Sequence, residues 1–118
     1  MLNKLPIGST IYISGKMSGL PCFNFKNFFY WQVMLEKSGY KVVNPAEIDC
    51  LKMIGGWRYS EDQWEAVIEE DCEIIRSDRV DAVFVIGRDY VSSAGAHREI
   101  MAAADADKPV YYENDQRS

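Results

Sequence analysis

What most constrains this chain is the regular way its apolar period switches. Short runs rich in β-branched and aromatic residues, T-I-Y-I-S, Y-K-V-V, D-A-V-F-V-I and V-Y-Y, alternate with longer stretches whose apolar residues recur at helical spacing. A buried strand is expected over Ile11 to Ser14, followed by the loop G-K-M-S-G-L-P. Asn24 is placed to cap a helix running to about Ser38, which Gly39 ends. Tyr40 to Val43 reads as a second strand, stopped by Asn44 and Pro45. A loop from Ala46 to Tyr59 follows. Ser60 then opens a helix to about Ser77, with Gln63 three residues on to complete a capping box. Ala82 to Ile86 is the clearest strand. The loop G-R-D-Y-V-S-S leads to a helix from about Ala94 to Ala106, and Val110 to Tyr112 close the series.

The order β-α-β-α-β-α-β implies an α/β three-layer sandwich: a short parallel sheet of four or five strands, flavodoxin- or Rossmann-like, with right-handed crossovers and helices on both faces. At 118 residues, a second domain would leave neither half an adequate core, so residues 1–118 are expected to form a single domain. With 47% apolar and 26% charged residues the chain is too hydrophobic to be disordered and too interrupted by charge to span a membrane. Nothing approaches the roughly 18 uninterrupted apolar residues of a spanning helix, and no basic flank precedes a short apolar run and a cleavage site. A soluble cytoplasmic protein is expected.

Charge and cysteine usage narrow the chemistry. Eighteen acids against 13 bases, with no long block of Lys or Arg, disfavour a duplex nucleic-acid partner. Cys22, Cys50 and Cys72 are odd in number, widely spaced and contain no C-x-x-C, so they read as free thiols rather than disulfides or zinc ligands. His97 is the single histidine, which weakens any Ser-His or Cys-His triad. No metal and no cofactor is expected, and the chemistry falls to carboxylates, tyrosine and serine.

In a parallel sheet of this kind the ligand crevice lies beyond the carboxyl ends of the strands, where the strand order reverses. That places the loops after Ser14 and after Ile86 on either side of one pocket. In the helix from Ser60 to Ser77 the stripe Trp64, Val67, Ile68, Ile74, Ile75 would be completed at i+7 by Asp71. A carboxylate there either bonds a loop at the stripe's edge or aims into the crevice, because an unpaired buried ion costs several kcal/mol. Glu99 has Gly95, Ala102 and Ala103 as its helical neighbours, too far along to be a capping glutamate. Two readings stand: the small face packs close on the sheet with Glu99 at its edge, or Glu99 leans over Gly95 toward the crevice.

Ser92 and Ser93, with the free N–H groups of their helix start, could form an anion site, as could the loop Gly15-Lys16-Met17-Ser18-Gly19. Both patterns also serve as ordinary turns. Tyr12 lies on the opposite face of the first strand from Ile11 and Ile13, where a core tyrosine with a satisfied hydroxyl is the commoner role. The first helix is apolar on more than one face: Phe25, Phe28, Trp31 and Leu35 form one stripe, with Phe29, Tyr30, Val33 and Met34 outside it. That surplus points to a homodimer or higher homo-oligomer.

The segments I-Y-I-S-G-K-M-S-G, G-Y-K-V-V-N-P-A-E and D-A-V-F-V-I followed by S-S-A-G-A-H-R-E resemble the nucleoside 2-deoxyribosyltransferase-like superfamily. The chain looks most like the small domain of unknown function often encoded by phages, over about residues 10–112. For a phage protein, the location would be the host cytoplasm. Relatives of known activity cleave or exchange the N-glycosidic bond of deoxynucleosides or their 5′-monophosphates. The resemblance implies Glu99 as the nucleophile, Tyr12 as the tyrosine that orients it, and Asp71 as the aspartate on the base side. It assigns substrate and phosphate contacts to Ser14, Gly15, Lys16, Met17, Ser18, Gly19, Ser93 and Gly95. Six residues before the glutamate the nucleoside transferases typically have an aspartate, and the monophosphate hydrolases a serine. Ser93 stands there, which favours a 5′-monophosphate ligand. The loop Ala46 to Tyr59, with Trp57, has no counterpart in that pattern. Two functions follow as expectations: an N-glycosidase or deoxyribosyltransferase on small-molecule nucleotides, or a non-catalytic nucleotide-binding or protein-interaction module of the same fold.

Overall fold

The switch from period two to helical period is realised along the chain. The computed structural model describes residues 2–17, 24–47, 49 and 60–116; Ser18, Gly19, Cys22, Cys50 and Trp57 lie outside the described residues. Strand β1 (Thr10–Ser14) leads to helix α1 (Phe25–Lys37) and strand β2 (Lys41–Val43). Helix α2 (Glu61–Arg76), strand β3 (Ala82–Val85), helix α3 (Ala94–Asp105) and strand β4 (Val110–Tyr112) follow. Short 3-10 turns occupy Asp89–Ser92 and Glu113–Gln116.

The four strands form a parallel sheet in the order β2-β1-β3-β4. The chain leaves β1 to one side and returns on the other, so the order reverses between β1 and β3, where a parallel sheet opens its crevice. Alternation along β1 decides what each face receives. Ile11 and Ile13, with Ala82 and Phe84 of β3, meet Phe25, Phe28 and Leu35 of α1. Tyr12, with Val83 and Val85, meets Cys72 and Ile75 of α2 and Ala102 and Ala103 of α3. Helices therefore cover both faces, α1 on one and α2 with α3 on the other.

The helix ends show how local chemistry sets the frame. Ser60 accepts from the Gln63 N–H at 3.2 Å and donates its own backbone N–H to Gln63 Oε1 at 2.8 Å, the reciprocal capping box expected from the sequence. Ser93 caps α3 by accepting from the Ala96 N–H at 3.2 Å. Asn24 departs from expectation. It precedes α1 in a left-handed conformation (φ 63°), which turns its side chain away from the helix N–H groups, and no side-chain cap forms. Its amide instead donates to the Lys16 carbonyl at 3.0 Å, and its own side-chain oxygen accepts from Asn27 at 2.6 Å. The residue holds the end of the β1 loop rather than the helix.

On α1, the stripe Phe25, Phe28 and Leu35 is buried, and Trp31 packs on Phe84 with ring centroids 4.9 Å apart. Phe29 is partly buried against the same core, whereas Tyr30, Val33 and Met34 are exposed. None of the described helices is long and apolar enough to cross a membrane.

Candidate functional site

The site grows from the carboxyl end of β1. Tyr12 and Ser14 are two residues apart and so project from the same face, toward α3. Glu99 enters between them from α3, on the side lined by Ala102 and Ala103, small residues that let the helix lie close to the sheet. Tyr12 donates from its hydroxyl to Glu99 Oε2 at 2.6 Å, and Ser14 donates from Oγ to Oε1 at 2.7 Å. Tyr12 and Ser14 have no solvent exposure and Glu99 only 7%. Tyr12 is thus a core tyrosine whose hydroxyl is satisfied by Glu99.

Ser14, which the resemblance assigns to the phosphate contacts, turns its hydroxyl inward to the carboxylate through strand alternation. Gly15, next along, marks a close approach. A Cβ there would lie 2.6 Å from the Ile86 side chain, where the Ile86 N–H donates to the Ser14 carbonyl at 2.9 Å and joins β1 to the end of β3.

Beyond this floor opens a cavity of about 600 Å³. The loop after β1 lines it through Gly15, Lys16 and Met17, the loop after β3 through Ser92 and Ser93, and α3 through Gly95 and Glu99. This is the crevice the strand order requires. The vacancy at Gly95 is shared: a Cβ would stand 3.1 Å from Ile68 Cδ1, so the glycine lets α2 approach α3 as well as bordering the cavity. Lys16 Nζ donates to Ser92 Oγ at 2.9 Å and bridges the two loops. His97 lies outside the cavity lining and bonds the Val91 carbonyl through Nε2 at 3.0 Å, bracing the 3-10 turn.

Asp71 of α2 lines the cavity, so the gap in the helical stripe faces the crevice rather than a neighbouring loop. It interacts with both Tyr12 and Glu99. Burial pushes the Glu99 carboxyl up to about 8, and the Asp71 charge pushes the same way; the hydroxyls of Tyr12 and Ser14 pull it down. Burial likewise raises Asp71 to about 7, with the charges of Asp49 and Glu70 adding to the rise. Burial and the two carboxylates hold the Tyr12 phenol well above its usual range, so it stays a donor. Two interacting acids lose their protons in two steps that belong to the pair, which near neutral pH retains about one proton between them. Burial also lifts the Cys72 thiol to about 11, leaving it an inert thiol against the sheet.

Sequence reasoning missed Asp49, which is 4% exposed, lines the cavity and acts on Asp71. Its signal was position: it follows the Asn44-Pro45 stop at the carboxyl end of β2, the crevice end of the sheet. Among the described residues, no group of three or more His, Cys, Asp or Glu is arranged to hold a metal ion. Lys16 is the one cation among the described lining residues, which also include Glu61 and Asp62 at the start of α2.

No curated protein is similar enough to this chain to match it. One solved structure, the C-terminal domain of a hydrogenase from Pyrococcus furiosus, is similar at 13% identity and a TM-score of 0.41, over 96% of this chain and 98% of that one. That likeness is too distant to carry an argument. A family model described as a domain of unknown function, DUF4406, matches residues 9–112, and the chain belongs to that family.

Proposed function

We propose that this protein cleaves or transfers the N-glycosidic bond of (deoxy)nucleoside 5′-monophosphates through Glu99, as a member of the nucleoside 2-deoxyribosyltransferase-like superfamily. The observation that carries the reading is the buried Glu99 carboxylate, held by two hydroxyls and paired with Asp71 at the floor of a cavity. A carboxylate fixed in this way is suited to attack a carbon where positive charge develops. A second carboxyl that keeps its proton near neutrality is suited to release the base.

In this reading Glu99 attacks C1′ of the sugar and forms a glycosyl ester as the C1′–N bond breaks. The bonding pair goes to the base nitrogen, which takes the proton from Asp71. Water, or a second nucleobase, then attacks C1′, Asp71 takes up its proton, and Glu99 is released as carboxylate. The productive state has the shared proton on Asp71. The hydroxyls of Tyr12 and Ser14 favour the Glu99 anion, and the like charges of Asp49 and Glu70 favour protonated Asp71. Burial and the Asp71 charge oppose this and hold Glu99 at about 8 against about 7 for Asp71, so the productive arrangement requires the proton to pass from Glu99 to Asp71 when substrate binds. The 5′-phosphate would lie between Lys16 and the start of α3, where Ser92, Ser93 and free N–H groups provide donors and the helix dipole favours an anion. The exposed Tyr30, Val33 and Met34 face of α1 is proposed as a contact between copies of the chain.

The test is incubation with a panel of nucleoside and deoxynucleoside 5′-monophosphates and detection of free base by chromatography. Wild type should release base with a bell-shaped pH dependence centred between about 7 and 8, the values of the pair, and Glu99→Ala should release none. Release that survives Glu99→Ala overturns the assignment. Thermal stabilisation by a nucleotide without release would make the domain a binding module; a ligand at 100 times its Kd adds about 2.7 kcal/mol.

A further inference from the structure

We propose that Ser14 is a positioning residue for Glu99 and not a phosphate contact: its hydroxyl anchors one carboxylate oxygen while Tyr12 anchors the other, fixing the plane of the nucleophile. The kinetic part of this inference rests on the glycosidase reading above; the effect of Ser14 on Glu99 does not.

Strand geometry sets where the two hydroxyls can reach. Residues two apart on a strand are separated by about 6.5 Å along it, yet Tyr12 and Ser14 reach the two oxygens of one carboxylate. They do so because one donor is long and the other short. The phenol extends from mid-strand and the serine stands at the strand end, so the carboxylate can bridge them in one orientation. Ser14 has no freedom to do otherwise. Its carbonyl is bonded to the Ile86 N–H, its side chain is fully buried, and the cavity lining begins one residue later at Gly15. At 2.7 Å and 2.6 Å the two contacts have the length of charge-assisted O–H···O bonds.

The titratable groups that face Glu99 are Tyr12 on β1 and Asp71 and Cys72 on α2, with Asp49 acting on Asp71. Of these, Tyr12 donates to the carboxylate at 2.6 Å and favours its anion, whereas Asp71, also hydrogen-bonded to Glu99, raises its titration. Ser14 is therefore the second donor opposing the effect of burial on Glu99, and deleting it should move Glu99 in a known direction.

The experiment follows the Glu99 side-chain carboxyl by NMR in protein carrying carboxyl-labelled glutamate, with Glu99→Gln identifying the signal. Wild type, Ser14→Ala, Ser14→Cys and Tyr12→Phe are titrated and assayed for base release. A hydrogen bond to a charged group corresponds to about a tenfold change or more. Ser14→Ala should accordingly raise the Glu99 midpoint by about one pH unit and shift the rate profile to the alkaline side. It should also lower kcat about 10- to 100-fold at unchanged KM for the monophosphate. Ser14→Cys, which keeps the bulk with a weaker donor, should shift the midpoint the same way by less and guards against a packing defect in the alanine variant. Lys16→Ala should do the reverse, raising KM without moving the Glu99 midpoint.

An unmoved Glu99 midpoint in both Ser14 variants, with Tyr12→Phe moving it, overturns the proposal. So does a raised KM at unchanged kcat. If wild type releases no base from any nucleotide, the glycosidase reading fails while the titration still decides the role of Ser14.

Discussion

The two faces of the sheet are built from the same strands and yet end in different chemistry. On the α1 face, β1 and β3 contribute Ile11, Ile13, Ala82 and Phe84, and the helix answers with Phe25, Phe28 and Leu35, hydrocarbon against hydrocarbon. The opposite face is hydrocarbon too along most of its length, through Val83, Val85, Cys72 and Ile75. It changes character only at the carboxyl end of β1, where Tyr12 and Ser14 turn hydroxyls to Glu99. Every buried side-chain nitrogen and oxygen among the described residues has a partner, so this polar inclusion is closed rather than frayed. The α1 face is mainly hydrocarbon burial, with Phe28 also bordering the cavity; the other face gives up part of its burial to hold a carboxyl in a low-dielectric setting.

The largest effect should come from breaking the hydrocarbon face. Phe84 has no exposure and packs under Trp31, so Phe84→Ala removes a buried ring and leaves a cavity, at a cost of about 3–5 kcal/mol. Denaturant unfolding should show the midpoint fall. Because Phe84 points away from Glu99, the carboxyl titration of the folded variant should stay where it is. A shifted Glu99 midpoint would mean that the two faces are not separable.

A smaller effect, readable through pH, comes from neutralising the polar inclusion. The folded-state value of Glu99 is raised from 4.5 to about 8. Its contribution to stability is therefore full below about pH 4.5 and lost as pH rises through about 8, where the buried group must ionise. Asp71, raised from 3.8 to about 7, acts with the same sign. Glu99→Gln removes the larger part of this slope. Melting temperatures measured from pH 5 to 9 should converge at the acid end and favour the variant at the alkaline end. Equal slopes in both proteins would show that Glu99 does not titrate under constraint.

These regions also differed in how far the sequence disclosed them. Strands and helix frames were legible because their signals are local: alternation in D-A-V-F-V-I, the Ser60–Gln63 capping box, the Ser93 cap. The convergence of Tyr12, Asp71 and Glu99 was legible once the topology put their elements at one crevice. Partners chosen by tertiary contact left no such trace. Asn24 looked like a cap, but its left-handed backbone sends the amide to Lys16. Ser14 reads as the end of the first strand and, by the resemblance, as a phosphate contact; the inward alternation of that buried strand end gives its hydroxyl to Glu99. Glu113, buried just after β4, accepts from Trp31 Nε1 at 2.8 Å and from the Gly87 N–H at 3.1 Å, ties 82 and 26 residues long that no local pattern encodes.

The smallest expected effect lies at the outer edge of the polar face and tests whether the site depends on surface charge. Arg98 precedes Glu99 on α3 and reaches two acids of α2, with Nη1 to Glu65 at 2.6 Å and Nη2 to Glu69 at 2.8 Å. Those bonds join the helices that carry Glu99 and Asp71, so a role in bringing the carboxyls together is conceivable on connectivity alone. Magnitude decides against it. The Arg98 side chain is more than a third exposed and its partners more so, and exposed ion pairs contribute about 0.2–1 kcal/mol, less at high salt. The interface beneath is set instead by packing, with Gly95 admitting Ile68. Arg98→Ala should lower stability by that small amount in dilute buffer, with the difference shrinking in 1 M salt, and should leave the Glu99 midpoint in place. A midpoint that moved with Arg98→Ala at either salt concentration would tie the buried inclusion to the surface clamp and remove the separation between them.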